Sequence, residues 1–538
     1  MQDMRARKLS PDLSHHNAAI SVLGKGSQWE RALFLFSEIE TGRMKPDLIS
    51  FNALISACGR GQCWDRALAL LAEMRLRKLQ PDQVSYVSAI SAVEGGGLWQ
   101  HALALLREMA AVRLRPPALG LASVVLACAQ AGQWEQELLV ELLSKTWSPS
   151  FTGSAQKPVM CYGSLLWQCY STLLRECQQR DLLDQETWLL TSCSGGLAAL
   201  GLGGDGSGAS AACANAAAVR LLRAGRYATV TELLLAAASG TGEQPGSGVN
   251  AASRSLLALC RGSEGAQLQL AIVPPAPVSV GTPYAKELGL LRHVLETAHA
   301  GDPASVVAAV ESFGQGALNL WLKVAGGSKA SALTAAVAGA PPGGRVLEIG
   351  TYCGFSSICM AMRLPGVKIS TLELDPMHMV VARNMHAFAG LADRIEVWTG
   401  HSKDLLTRSG GPRFLQGGKQ PAVLSALFMD QRGSRYDEDL AALEADGRFL
   451  PGAVVVADNV LKPGAPLFLW RVAGRGAVGQ YASQILSLKE FAMPSEDWMS
   501  ATVRLPPPKR RSKASLISVP ELRPAELIQL DREADRMR

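Results

Sequence analysis

The cysteines of this chain follow no recognisable spacing, and the chain contains no long apolar run. Each of these absences excludes classes of protein. Its 11 cysteines are scattered over 538 residues without a CxxC pair, so neither a zinc framework nor a disulfide scaffold is indicated. The best candidate for a membrane span, residues 188–204, is interrupted by glycine, serine and threonine. We therefore expect a protein of a reduced intracellular compartment, in the cytoplasm or an organelle, that does not enter a membrane.

Charge is also sparse. Charged residues make up 19% of the chain and the net charge is +6, which is compatible with an RNA partner but does not require one. The length predicts two or three domains. No signal peptide is visible at the first residue, and residues 4–12 parallel residues 74–82 inside a later repeat. This parallel predicts that the natural protein continues upstream.

The first part of the chain repeats every 35 residues. Tryptophans mark the period at Trp29, Trp64, Trp99 and Trp134. Each unit contains two apolar patterns with helical spacing, as an α-solenoid of helical hairpins does. We assign residues 1–147 to this solenoid.

Proline–aspartate pairs follow the same period at residues 46–47 and 81–82, and the units resemble pentatricopeptide repeats. The resemblance implies binding of single-stranded RNA, one base per unit. It also implies two pairs of reading residues, both of which favour uracil in the family's pattern: Asn17 with Asp47, and Asn52 with Asp82. The third unit departs from the pattern, with Val87 and Pro117. A solenoid that docks a protein partner therefore remains an open alternative to RNA binding.

Residues 148–282 carry weaker signals. Glycine- and serine-rich stretches at 203–211 and 239–248 are typical of linkers. Between them, residues 215–234 have the pattern of a degenerate helical repeat. At the other end, residues 505–538 begin with a basic, proline-rich tail and finish as a short charged helix.

The most informative stretch is residues 346–357, which predicts a buried strand, a glycine turn and then a helix. Glu373 ends the next apolar run. This order is typical of a doubly wound α/β domain that holds an adenosine-bearing cofactor, because the glycines let the backbone approach the ligand and the later carboxylate accepts from the ribose hydroxyls.

Two later apolar runs end in acidic residues, Asp430 and Asp458, and the second is followed by Asn459. Carboxylate and carboxamide oxygens suit a hard cation such as Mg²⁺. Either aspartate alone is better explained as a turn residue. Their combination with the glycine turn and Glu373 favours a functional site.

From about residue 284 to residue 498 the sequence resembles the catechol O-methyltransferase family. The resemblance is carried by residues 286–295 and 301–307, the glycine turn, residues 384–390 and residues 457–466. It implies a seven-stranded α/β domain over residues 284–504 that binds S-adenosylmethionine and Mg²⁺ and methylates one hydroxyl of a catechol-like diol. The implied cofactor-binding residues are Val324, Glu348, Gly350, Tyr352, Ser356, Glu373, Leu374, Ser402 and Asp430.

The same resemblance assigns the reaction site. Asp430, Asp458 and Asn459 would bind the metal, while Asn459 and Glu496 would act in catalysis, the latter by orienting the second hydroxyl. The family's lysine base is missing, because Gly433 stands at its position although Arg435 and Tyr436 match.

Three outcomes follow for the missing base: the metal alone lowers the acceptor's pKa enough, another group serves as base, or turnover is slow or lost. Lys323 and Lys329 approach the site only if the segment before the glycine turn folds over it, and we assign neither a role. Gln431 and Arg432 replace larger rings of the family, which leaves the substrate open. The alternative to an enzyme is an RNA-binding or scaffold repeat protein with an impaired transferase domain.

Overall fold

The structure is a computed structural model that describes residues 11–131, 165–191, 207–239, 284–316, 322–406, 416–474, 480–491, 495–506 and 529, apart from short gaps at 27, 43, 115, 323, 418–419 and 490. It divides into two compact units, residues 1–173 and 174–538. Trp134 and most of the predicted linkers and tail lie outside the described residues. Part of the predicted linker at 203–211 does not form a linker, because residues 207–211 begin a helix.

The first unit contains helices of 13 residues arranged in pairs. The described ones are α1 Leu13–Lys25, α2 Trp29–Thr41, α3 Leu48–Arg60, α4 Trp64–Leu76, α5 Gln83–Gly95, α6 Trp99–Ala111 and α7 Ala118–Gln130. The repeated aspartates start the first helix of each pair, because the side chains of Asp12, Asp47 and Asp82 accept hydrogen bonds from backbone N–H groups of the first turn. The predicted helical repeats are therefore confirmed.

Glycine explains how consecutive repeats stack. A Cβ atom at Gly61 would lie 2.2 Å from the Trp29 ring, and one at Gly96 would lie 2.8 Å from the Trp64 ring. The tryptophan that starts the second helix of one repeat thus packs where the next repeat has no side chain. This pairing accounts for the fixed spacing of both residue types along the chain.

The second unit begins with helices that precede its sheet: α8 Leu165–Arg180 (from Leu174), α9 Leu183–Thr191, α10 Ser207–Arg223 and α11 Tyr227–Ser239. We call the described residues 174–191 and 207–239 the helical layer. Val219, Leu221 and Val230 of this layer share a buried cluster with Ala387 and Ala392 of the α/β part. The layer is therefore packed against the α/β part and is not a free connector.

The described part of the second unit forms a seven-stranded sheet in the order β3-β2-β1-β6-β7-β9-β8. The first five strands of that order are parallel, and β9 is antiparallel to both β7 and β8. The strands are β1 Arg345–Ile349, β2 Ile369–Glu373, β3 Ile395–Thr399, β6 Leu424–Met429, β7 Phe449–Ala457, β8 Tyr481–Lys489 and β9 Glu496–Arg504, with a separate pair formed by β4 Gln416–Gly417 and β5 Gln420–Pro421. The predicted seven-stranded α/β fold is confirmed.

Helices accompany the sheet. They are α12 Ala285–Thr297, α13 Pro303–Gln315, α14 Ser328–Ala338, α15 Phe355–Arg363, α16 Pro376–Phe388, α17 Ser402–Leu406, α18 Tyr436–Ala445 and α19 Pro466–Val472, with a 3₁₀ turn at Gly433–Arg435 and a π turn at Val460–Gly464. A buried core joins β1, β6 and β7 to α18 and α19. In the described ranges, no helix is both long and apolar enough to cross a membrane.

Strand register places the polar residues of the site at one edge of the sheet. Ile349 pairs with Leu372 and with Met429, and Met429 pairs with Ala457. The residues that follow these strand ends are therefore neighbours at the carboxyl edge, where doubly wound folds bind their ligands.

Candidate active site

The backbone of the glycine turn after β1 lies close to the backbone that follows β6. Gly350 has φ +98°, and a Cβ atom there would lie 2.6 Å from the carbonyl oxygen of Asp430. Only glycine fits this position without moving the neighbouring strand end. Tyr352 has φ +50°, a left-handed conformation that is uncommon for a bulky residue and marks functional loops.

Glu373 holds this turn in place. Its side chain is 8% exposed and accepts hydrogen bonds from the backbone N–H groups of Thr351 at 3.2 Å and Tyr352 at 2.7 Å. The other carboxylate oxygen accepts from the backbone N–H of Asp375 at 2.8 Å. The residue predicted to hold the ribose is therefore at the glycine turn and has a fixed orientation.

Glu348 lies beneath the turn and is fully buried. It accepts hydrogen bonds from the hydroxyls of Ser356 at 2.5 Å and Thr371 at 2.6 Å. Burial raises the pKa of Glu348 to about 7, although the Ser356 and Thr371 hydrogen bonds oppose the rise. Ser356 thus supports Glu348 from the first turn of α15.

We expect this buried carboxyl group to make stability depend on pH. The folded-state pKa of about 7 lies above the value of about 4.3 expected in an unfolded chain. Between those values the folded protein keeps a proton that the unfolded chain has lost, so the free energy of unfolding falls as pH rises through this window. Glu348→Gln should remove a dependence on the order of 2 to 3 kcal/mol, measured as melting temperature between pH 5 and pH 8. The exposed Glu438→Gln serves as control, and equal pH slopes for wild type and Glu348→Gln would contradict the expectation.

Ser402 starts α17 beside the end of β3. Its hydroxyl donates to Asp439 at 2.6 Å, and Asp439 also accepts from Gln431 and Arg435, each at 3.0 Å. Asp439 is buried. The loop predicted to lie near the adenine is thus tied to α18 through one carboxylate.

The residues that follow β6 and β7 lie next to each other. The Asn459 carboxamide nitrogen lies 3.4 Å from a carboxylate oxygen of Asp430, and the Asn459 backbone N–H donates to Asp458 at 2.9 Å. Asn459 has φ +55°, which asparagine tolerates better than most residues.

These residues fit a divalent cation by donor type and by charge. Within the described residues, no three His, Cys, Asp or Glu side chains form a metal-binding group; the set here is two carboxylates and a carboxamide, which suits Mg²⁺. Asp430, Asp458 and the nearby Asp497 carry three negative charges against one from Lys329. Among the described residues, these four side chains sum to a formal charge of −2, which one divalent cation would offset.

Lys329 belongs to this site, although no role could be assigned to it from the sequence. It is 2% exposed, and its Nζ atom donates to Asp458 at 2.9 Å and to Asp497 at 2.6 Å. Burial raises the pKa of Asp458, and Lys329 opposes that rise. Lys329 thus fixes one of the two carboxylates at the strand ends.

The structure does not bring Glu496 to this site. Glu496 is exposed at the start of β9, and its carboxylate accepts from the Ser487 hydroxyl at 2.5 Å. Successive side chains of a strand point to opposite faces, and the next residue, Asp497, is the one that reaches Lys329. Gly433 is buried in the 3₁₀ turn after Asp430, as the sequence places it. Val324 is buried and Leu374 partly buried.

A cluster beside Glu373 was also missed. His378 lies 3.7 Å from the Glu373 carboxylate, and its ring meets that of Tyr352 edge-on with centroids 4.8 Å apart. The Tyr352 hydroxyl donates to Glu287 at 2.8 Å. The signal in the sequence was the position of His378, five residues after Glu373, which places it in the first turn of the following helix.

The predicted RNA-reading residues form the same arrangement in two repeats. The Asn17 and Asn52 side chains donate to Asp47 and Asp82, each at 3.1 Å. Each asparagine also accepts from a serine hydroxyl, Ser50 in one repeat and Ser85 in the next. These contacts describe the geometry of the first unit and do not identify its ligand.

Comparison with known proteins finds two families. The family model described as O-methyltransferase matches residues 335–464. The model of the pentatricopeptide repeat domain matches residues 1–61, and that of the PPR repeat family matches residues 46–94.

Among curated proteins, the chain is 37% identical to the catechol O-methyltransferase of Bos taurus and 35% identical to that of Mus musculus, over 190 residues in each case. These matches cover 35% of this chain and 66% and 68% of those proteins, so the chain spans about two thirds of their length. A probable O-methyltransferase of Mycobacterium tuberculosis is 32% identical, with 34% of this chain and 76% of that protein covered.

Solved structures give similar matches. An O-methyltransferase from Bacillus cereus in complex with SAH is 23% identical, with a TM-score of 0.30 and coverage of 40% of this chain and 90% of that one. An O-methyltransferase from Streptomyces achromogenes in complex with SAM is 23% identical, with a TM-score of 0.31 and coverage of 37% and 90%.

Proposed function

Because this chain belongs to the family of the catechol O-methyltransferases, we propose that its second unit transfers a methyl group from S-adenosylmethionine to one hydroxyl of a catechol-like diol with the help of Mg²⁺. The observation that carries the proposal is the position of Asp430, Asp458 and Asn459 directly beside the glycine turn. Asp430 supports both parts, since its carbonyl oxygen contacts Gly350 and its carboxylate lies near Asn459.

The chain's own residues would bind and orient the reactants. Glu373, held by three backbone N–H groups, would accept from the ribose hydroxyls, and Ser402 would lie on the adenine side. Asp430, Asp458 and Asn459 would hold the cation, which lowers the pKa of an acceptor hydroxyl when it is bound. Lys329 would keep the Asp458 carboxylate in one orientation, and such fixed placement is a large part of what an enzyme supplies.

Gly433 removes the family's general base. An arginine such as Arg435 is a poor substitute because its guanidinium group does not lose a proton near neutral pH. General base catalysis is typically worth about 10²- to 10⁴-fold in rate. We therefore propose slow, strongly cation-dependent turnover with acceptors whose hydroxyls are already acidic.

The test is calorimetric titration of the full chain with S-adenosylhomocysteine, followed by methylation assays on catechol and on the more acidic nitrocatechol, with and without Mg²⁺. Cofactor binding and Mg²⁺-dependent product would support the proposal. Binding without product from either acceptor would favour an impaired transferase. A folded chain that does not bind S-adenosylhomocysteine would refute the cofactor site itself.

For the first unit we propose a second function, binding of single-stranded RNA rich in uracil. The observation that favours it is the repetition of one polar geometry, Asn17 with Asp47 and Asn52 with Asp82, at the same 3.1 Å distance. Two such pairs would recognise a short segment only, so we expect weak binding that falls as salt is raised.

Asn52→Ala should weaken binding to a uracil-rich strand by roughly tenfold, because it removes the partner of Asp82 as well as a base contact. The matched control is Val87→Ala, at the same position of a repeat that lacks the pattern. Binding is measured by fluorescence anisotropy at two salt concentrations. Equal affinity for uracil-rich and adenine-rich strands, or no binding at low salt, would instead support a protein-docking solenoid.

A further inference from the structure

The helical layer contacts the loop that follows β3. This loop, residues 399–402, lies next to Glu373 because Thr399 pairs with Glu373 in the strand register and the Gly400 backbone N–H donates to the Glu373 carbonyl oxygen at 2.9 Å. It therefore borders the proposed cofactor site on the side where Ser402 lies.

Buried ion pairs anchor the layer to the sheet. Glu186 and Arg383 are each 1% exposed and lie 3.0 Å apart, and Arg220 bridges Glu186 and Glu396, each at 3.1 Å. Two charges removed from water in this way must remain paired. The layer thus has one defined position on β3 and α16.

From that position two side chains reach the loop. The Gln178 carbonyl oxygen accepts from the backbone N–H of Thr399 at 2.6 Å, and its amide nitrogen donates to the Thr399 hydroxyl at 3.2 Å. Both contacts are buried. Gln178 therefore satisfies the last backbone donor of β3, just before the chain turns.

Arg175 holds the next part of the loop. Gly400 has φ +136°, and a Cβ atom there would lie 2.8 Å from Cδ of Arg175. The guanidinium group continues past the glycine to Asp404 of α17 at 2.6 Å. Since glycine restricts its own backbone little, the conformation of this loop depends on such outside contacts.

We propose that the helical layer is a working part of the transferase, and that Gln178 and Arg175 are positioning residues that preorganise loop 399–402 for the adenine end of the cofactor. This inference rests on the proposed function, because it assumes that the site binds S-adenosylmethionine. It assigns a role in the reaction to a region outside the α/β part of the unit.

The test compares full-length Gln178→Ala, Arg175→Ala and Arg175→Lys with wild type. Affinity for S-adenosylhomocysteine is measured by calorimetry, and hydrogen exchange is measured for the peptide that contains Thr399 and Gly400. We expect Gln178→Ala and Arg175→Ala to bind roughly fivefold to tenfold more weakly, with faster exchange in that peptide before cofactor is added. Arg175→Lys should recover most of the affinity, since its stem still covers Gly400.

Arg226→Ala is the control within the layer, because Arg226 pairs with Asp184 at the surface and neither residue contacts the loop in the described structure. A wild-type chain that does not bind S-adenosylhomocysteine would overturn the cofactor function and this inference with it. Wild-type binding with unchanged affinity and exchange in Gln178→Ala and Arg175→Ala would overturn this inference alone. If Gln178→Ala does not fold, Arg175→Ala decides the test, because Arg175 is partly exposed and its replacement should be tolerated.

Discussion

Replacement of Lys329 by methionine is expected to destabilise the second unit by about 3 to 5 kcal/mol. The side chain is 2% exposed and donates to two buried carboxylates, those of Asp458 and Asp497. Methionine fills a similar volume but leaves these two negative charges facing each other without a counter-ion. In a domain of this size the melting temperature should fall by roughly 10 °C, as measured by scanning calorimetry on the full chain.

The double variant Lys329→Met with Asp497→Asn separates charge from packing. It removes one of the two repelling carboxylates, so it should be clearly more stable than Lys329→Met alone. Lys368→Met is the matched control, since Lys368 is exposed and donates only to the Asp393 carbonyl oxygen among the contacts described; a change within about 1 kcal/mol is expected there. A Lys329→Met protein as stable as this control would show that the ion pairs do not form. The transition that S-adenosylhomocysteine shifts would identify the second unit.

Much of the site could be predicted because its chemistry lies in contiguous motifs. The glycine turn, Glu373 and the aspartates at the ends of β6 and β7 each follow an apolar run, and parallel strands bring such ends to one edge. The position of Gly433 could be aligned in the same way, because Arg435 and Tyr436 fix the spacing around it; the replacement of a lysine base there stays a proposal.

Lys329 could not be predicted in the same way. Its two partners are 129 and 168 residues away along the chain, and a single sequence contains no signal for such pairs. The acidic residue of β9 that reaches Lys329 could not be identified from the sequence for a related reason. A shift of one residue moves a side chain to the other face of a strand, and only the register of β9 with β8 decides between Glu496 and Asp497.

The helical layer was underestimated for a different reason. Two of its helices, α10 and α11, are rich in alanine and lie between glycine- and serine-rich stretches, a composition that is typical of linkers. Besides the apolar cluster with Ala387 and Ala392, polar contacts join the layer to the fold: Gln178, Glu186 and Arg220 are buried and have partners on β3 and α16. Such residues look like surface side chains in the sequence, because their partners belong to another segment.

Asp430→Asn is expected to lower kcat/KM for a catechol acceptor by on the order of 10²- to 10³-fold. Asparagine keeps the shape of the side chain and the backbone contact with Gly350, but it removes one of the two formal charges that the proposed cation would neutralise. Affinity for S-adenosylhomocysteine should therefore change little, while the Mg²⁺ concentration needed for half-maximal rate should rise.

Calorimetric titration with Mg²⁺ in the presence of S-adenosylhomocysteine provides a readout that does not depend on turnover. Asp393→Asn is the control, because Asp393 is exposed in the turn before β3, at the opposite end of that strand from its carboxyl end. If Asp430→Asn loses both activity and Mg²⁺ binding while it still binds S-adenosylhomocysteine, the Asp430 carboxylate serves the cation site and is not required for cofactor affinity. If the variant keeps full activity, Asp430 is not a ligand of the cation on which turnover depends.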